Sequence, residues 1–173
     1  LLTSFLLTVI FDLTIAIEIG LLLALVLFMK RMSEVTHITV AKDQLDLSNE
    51  GEIYHEEEKL IVPQGVEVYE IDGPFFFGVA NKFDECMKTI GDKPRIRIIR
   101  MRKVPFMDTT GLHNLESLYR LSTKEKIQVI LSGVNEQVRA TLVKSSFART
   151  IGEENICSNI HEALKRAEVC LKS

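Results

Sequence analysis

Val104-Pro105-Phe106-Met107-Asp108-Thr109-Thr110-Gly111-Leu112 joins two patterns of different period. Ahead of it, Arg95-Ile96-Arg97-Ile98 alternates polar and apolar, and Ile99-Arg100-Met101 continues more apolar, as a strand does. Behind it, Leu112, Leu115, Leu118 and Tyr119 recur at the spacing of a helix face, with Glu116 and Ser117 on the polar side. The segment between is therefore a tight polar loop. Asp108, Thr109 and Thr110 stand where the first N–H groups of a helix need oxygen acceptors, so capping is one reading. The other is a phosphate-accepting switch, because a helix start favours negative charge and a phosphothreonine adds nearly two charges.

The same alternation of periods continues on both sides. Upstream, Val66-Glu67-Val68-Tyr69-Glu70-Ile71 alternates and predicts a strand with one buried face. Asp72-Gly73-Pro74 breaks it, and Phe75-Phe76-Phe77-Gly78 leads into a helix with Val79, Ala80, Phe83, Met87 and Ile90 on one face, ending at Gly91. The aromatic triplet reads as packing under the sheet. Downstream, Ile127-Gln128-Val129-Ile130-Leu131 is apolar enough for a central strand covered on both faces. Val134, Val138 and Leu142 open another helix to about Ser145, and Phe147 to Ile156 reads as a turn with a short edge strand at Ile156. Asn159 caps the last helix, with Glu162 three residues on as a capping-box variant. Ile160, Ala163, Leu164, Ala167 and Leu171 form its buried face. Strands alternating with helices imply an α/β domain with a mostly parallel central sheet and helices packed on it. A short strand near Ile38, within Ser33–Ala41, joins at an edge.

The first thirty residues differ in kind. Leu1–Met29 is almost wholly apolar, interrupted by Asp12 and Glu18. One helix through it would run about 44 Å, beyond the roughly 30 Å of a bilayer core. The two acids would stand about 240° apart on it and share no face. A break near Asp12-Leu13-Thr14 fits better, with Leu1–Phe11 ending one membrane segment and Ile15–Met29 forming another, short for a full span. No basic region precedes the run and no small-residue cleavage site follows, so it does not read as a signal peptide. Lys30 and Arg31 follow directly and put the residues after Arg31 in the cytoplasm. Asp12 and Glu18 are the membrane ionisable candidates, either capping a broken helix or contacting a transported ion. The organisation is then 1–30 membrane segment, 31–65 linker with an acidic loop, and 66–173 soluble domain.

Several function classes are excluded. The formal net charge of −3 leaves no basic footprint for nucleic acid. Cys86, Cys157 and Cys170 form no CxxC pair, so neither a disulfide framework nor a zinc site is indicated. His55 among Glu56, Glu57 and Glu58 suits no metal-ligand frame. His37, His113 and His161 belong to other elements, and no phosphate-binding loop, dinucleotide fingerprint or nucleophile motif occurs. No enzyme, cofactor or metal is expected.

Asp108-Thr109-Thr110-Gly111-Leu112, following an apolar strand and opening a helix, resembles the D-[ST]-[ST]-G loop of STAS domains, which sulfate transporters and anti-sigma factor antagonists share. Val66–Ile71, the break after it and Phe75-Phe76-Phe77 resemble that family's first core strand and helix entry. Thr8–Leu13, Ala16–Gly20 and Leu27–Met32 look like the last membrane segments of SulP anion permeases. The resemblance implies the C-terminal part of such a permease. Its membrane segment and cytoplasmic STAS domain would sit in a dimeric secondary transporter of sulfate or a related anion in the cell inner membrane. Its partners would be the rest of the permease and a cytoplasmic regulatory protein docking at Asp108–Gly111. It also implies that Thr110 matches the antagonists' phosphate acceptor. Threonine stands at both hydroxyl positions, where antagonists usually carry serine, which favours capping or docking. The alternative is a free-standing antagonist-like phospho-switch that binds a kinase or anti-sigma factor.

Overall fold

The computed structural model describes residues 13–35, 37–41, 44–45, 60–75 and 93–172. The chain divides into two compact units, Leu1–Val35 and Thr36–Ser173. In the first, α1 runs Leu13–Val35, and Leu13–Arg31 is long and apolar enough to cross a membrane. Its 19 residues rise about 28 Å, close to the thickness of the hydrocarbon layer. The helix extends beyond the apolar segment Ile15–Met29 at both ends. The helix continues through Lys30 and Arg31, whose long stems keep a charged head in water without ending it. Leu21, Leu22, Val26 and Phe28 are all exposed, as a helix bathed in an apolar solvent would be. Asp12 and the segment Leu1–Phe11 lie outside the described residues. Glu18 is exposed on α1.

The second unit is built on one five-stranded sheet. Its strands are β1 (His37–Ala41), β4 (Val66–Asp72), β5 (Ile96–Lys103), β6 (Gln128–Ser132) and β7 (Ile156–Cys157), ordered β1-β4-β5-β6-β7. The edge strand β1 runs antiparallel, and the other four pair in parallel. Gln44–Leu45 (β2) and Leu60–Ile61 (β3) form a separate two-stranded ribbon. The helices are α2 (Thr109–Lys124), α3 (Glu136–Lys144), α4 (Phe147–Ile151) and α5 (Ile160–Lys172). The expected first helix, Val79 to Gly91, lies outside the described residues, as does the expected acidic loop from Asp43 to Lys59 apart from Gln44–Leu45, which form β2.

The sheet is covered on both faces. On one, Tyr69, Ile71, Ile99, Met101, Val129 and Leu131 meet Leu112, Leu115 and Leu118 of α2 and the apolar sides of α3 and α4. On the other, Val66, Val68, Ile96, Ile98 and Ile130 meet Ile160, Ala163, Leu164 and Ala167 of α5. This corrects the expectation that β4 has one buried face: Glu67 is only 4% exposed. The Tyr69 hydroxyl donates to Glu67 Oε2 at 2.8 Å. Beside them Arg97, also buried, donates to Ser122 Oγ at 2.6 Å and lies 5.3 Å from the Tyr69 ring centroid. Burial, then the Glu67 hydrogen bond, pushes the Tyr69 phenol well above its usual range. The polar residues of the alternating pattern are thus paired inside the domain, and their polarity gave no warning of it.

Within Phe147 to Ile156 the expected edge strand at Ile156 is β7, while the residues before it depart from the expected turn. Ser146, in the left-handed region at φ 66°, redirects the chain, and Phe147, Ala148 and Ile151 bury one side of α4. Five residues are too few to leave a periodic signal.

Candidate functional site

The loop before α2 is held from three sides. The Val104 N–H donates to the Met101 carbonyl at 2.9 Å, turning the chain out of β5. Asn135 Nδ2 donates to the Val104 carbonyl at 2.8 Å, tying the loop to the start of α3. Phe75 pairs with Met107 in a parallel bridge, and its N–H donates to the Phe106 carbonyl at 3.2 Å. Phe75 is buried, as packing under the sheet requires. Phe76 and Phe77 lie outside the described residues.

Asp108 is the N-cap of α2, with extended backbone (φ −91°, ψ 179°), and its Oδ1 accepts the Gly111 N–H at 2.6 Å. Its carbonyl accepts the Leu112 N–H at 3.0 Å, so the first helical turn closes on this residue. Thr109 and Thr110 are exposed on that turn, and the turn carries no acidic side chain. Gly111 is buried against Phe75. A Cβ there would fall on the Phe75 carbonyl oxygen and sit 2.8 Å from its Cδ1. The glycine is required by close approach of two backbones, since its φ is not in the left-handed region. The arrangement presents two exposed hydroxyls on the first turn of α2. Among the described residues neither hydroxyl has a hydrogen-bonded base beside it that could start chemistry.

His113 is an exposed helix residue one turn along. Among the described residues no three His, Cys, Asp or Glu side chains gather as metal ligands. Sequence reasoning did not find the charged ladder at the ends of β4 and β5. Glu70 lies 3.5 Å from Arg100 and 3.2 Å from Lys103, and Lys103 lies 3.4 Å from Asp72. Its signal was present, since Glu70 pairs with Arg100 and Asp72 with Lys103 in parallel register, but only the register reveals it.

A mostly parallel sheet, helices on both faces and a capped D-T-T-G helix start define a small α/β domain. The chain belongs to the STAS domain family, whose model matches residues 59–163. It is similar to YvdB of Bacillus subtilis, a protein named provisionally as a sulfate transporter, at 30% identity over 88% of this chain and 27% of that protein. It is similar also to the bicarbonate transporter BicA of Picosynechococcus, at 29% identity over 94% of this chain and 29% of that protein. The chain thus spans little more than a quarter of these relatives. Among solved structures, the STAS domain of a SulP transporter from Vibrio cholerae matches with a TM-score of 0.57 and 37% identity, covering 64% of this chain and 86% of that one.

Proposed function

We propose that this chain is the C-terminal portion of a SulP-type secondary anion transporter, moving sulfate or a related inorganic or organic anion. In this reading Leu13–Arg31 crosses the inner membrane and the domain after it lies in the cytoplasm. That domain regulates or assembles the permease through protein contacts. The observation that carries it is the union in one chain of a lipid-compatible helix ending in Lys30-Arg31 with a STAS match at 59–163. Relatives named as sulfate and bicarbonate transporters align across both parts. A single helix encloses no pathway, so transport belongs to the assembled permease, which we infer to be a homodimer. Catalysis has no part in this reading.

The Asp108–Gly111 rim is the docking point we assign to a cytoplasmic regulatory partner. Its exposed hydroxyls and buried, fixed glycine support this, because the rim stays rigid while Thr110 faces outward. A phosphate on Thr110 would gain up to about 1 kcal/mol from the helix start and would change the surface a partner meets. The test is anion uptake and membrane abundance of the whole permease, compared with a form ending at Val35 and with Thr110→Ala. Loss of assembly or uptake in the truncated form is expected. Unchanged abundance, oligomeric state and uptake would dispose of a regulatory or assembly role.

A further inference from the structure

We propose that the cavity at the carboxyl edge of β5, β6 and β7 binds a small divalent oxyanion of the sulfate and phosphate class. The cavity measures about 560 Å³, and Arg100, Arg102, Ser132, Gly133, His161 and Lys165 are among its lining residues. Arg100 and Ser132 are neighbours in the parallel ladder, on the face that α5 covers. Open parallel sheets bind ligands at this edge, because the helices that follow the strands begin there. Here α3 and α5 both begin at the cavity.

Two independent observations point to a ligand. The first is Ser132, which is fully buried and lines the cavity, yet its hydroxyl has no hydrogen-bond partner among the described residues. Native folds seldom leave such a group unpaired, so a donor at this depth is waiting for an acceptor. The second is charge. Three cations, Arg100, Arg102 and Lys165, line the cavity against one carboxylate, Glu162. That carboxylate is already engaged, accepting Ser158 Oγ–H at 2.6 Å and the Ser158 N–H at 3.0 Å. Arg100 is only 4% exposed and lies 3.5 Å from Glu70. Burial, then the neighbouring Arg102, lowers its pKa, so the site holds positive charge against resistance that an anion would remove. Gly133, at φ 68°, lets the β6–α3 turn press against Arg102. A Cβ there would lie 3.0 Å from the Arg102 Cβ and 3.1 Å from its N. Planar guanidinium groups beside a hydroxyl donor suit a compact oxyanion, which takes several hydrogen bonds at once.

The experiment is isothermal titration of the full 173-residue chain in detergent micelles with sodium sulfate and with sodium phosphate. Sodium chloride at matched ionic strength is the reference. Saturable one-to-one binding of at least one oxyanion is expected, with a Kd below about 1 mM, and chloride should give none. Ser132→Ala should weaken it at least about fivefold and Arg102→Gln at least about tenfold. Thr110→Ala should leave it unchanged, which separates this site from the docking rim. Should Arg102→Gln fail to fold, exposed Lys165→Gln takes its place, with a loss of about threefold expected. Absence of saturable binding, equal response to chloride, or affinities within twofold of the parent in folded Ser132→Ala and Lys165→Gln would overturn the proposal.

Discussion

Gly111→Ala tests the geometry of the D-T-T-G loop most directly. In an ordinary helix interior this change stabilises by about 1 kcal/mol, because alanine is the better helix former. Here the added methyl would land on the Phe75 carbonyl oxygen, 2.9 Å from the carbonyl carbon and 2.8 Å from Cδ1. Backbone cannot swing aside as a side chain can. Either the Phe75–Met107 bridge or the start of α2 must move, and both are tied into buried residues. Overpacking of this kind costs about 3 kcal/mol or more, so the net loss is about 2 kcal/mol. At about 4 °C per kcal/mol for a domain of this size, the midpoint of thermal unfolding should fall by about 8 °C. Near-ultraviolet circular dichroism of the full chain in detergent measures it. Gly20→Ala, with nothing within 4 Å of its new carbon, is the reference and should show no loss. A midpoint for Gly111→Ala equal to or above the parent would mean that close backbone approach does not explain the glycine.

Asp108→Ala should cost about 1 kcal/mol by orphaning the Gly111 N–H, while Asp108→Asn should stay near the parent, since asparagine caps equally well; chemical denaturation resolves the two. Thr110→Ala and Thr110→Glu should each change stability by under about 0.5 kcal/mol, because the residue is exposed. If Thr110 is the docking point, either change should still weaken capture of the permease's cytoplasmic partner, read by co-purification. Glu162 has its pKa depressed, first by the Ser158 hydroxyl and then by the Ser158 N–H. Its contribution is therefore complete above the ordinary carboxylate value of 4.5 and lost as pH falls towards its lower folded value. Melting temperatures from pH 6 down to about pH 3 should fall less steeply for Glu162→Gln than for the parent. Arg97→Ala should destabilise by about 3 kcal/mol, because it removes the charge beside buried Glu67 and the partner of Ser122. An effect under about 1 kcal/mol there would show that water reaches these groups.

The fold was legible wherever one local rule sufficed. The β5–loop–α2 junction is a change of period with a capping residue at the seam, and both the helix start at Thr109 and the Asp108 cap follow from it. Asn159 and Glu162 were legible for the same reason. The Glu162 N–H donates to Asn159 Oδ1 at 2.9 Å, although the returning carboxylate reaches Ser158 rather than the cap residue itself. The edge position of β1 could be guessed, but its antiparallel direction could not, since a five-residue strand carries no sign of direction. α4 was missed because its three buried residues, Phe147, Ala148 and Ile151, fit a turn as well as a helix.

What remained hidden shares one cause, which is that a strand's polar side chains do not say whether they face water or each other. Glu67, Arg97 and Arg100 alternate with isoleucine and valine, and alternation normally marks a wet face. All three are instead buried, because helices cover both faces of the sheet and each group meets a partner: Glu67 on its own strand, Arg97 on α2 and Arg100 on the neighbouring strand. Such a sheet pays for desolvating charge, so groups kept ionised inside it need matching carboxylates, hydroxyls or ligands. On the α2 face the Tyr69 hydroxyl bonds Glu67 and an Arg97 nitrogen bonds Ser122, although Arg97 Nε has no partner among the described residues. On the α5 face, at the carboxyl edge, Arg100 lies 3.5 Å from Glu70, and the Ser132 hydroxyl has no partner among the described residues. The Ser132 hydroxyl lines a cavity together with Arg100, Arg102 and Lys165, and that is the physical reason to look for a bound anion at that edge.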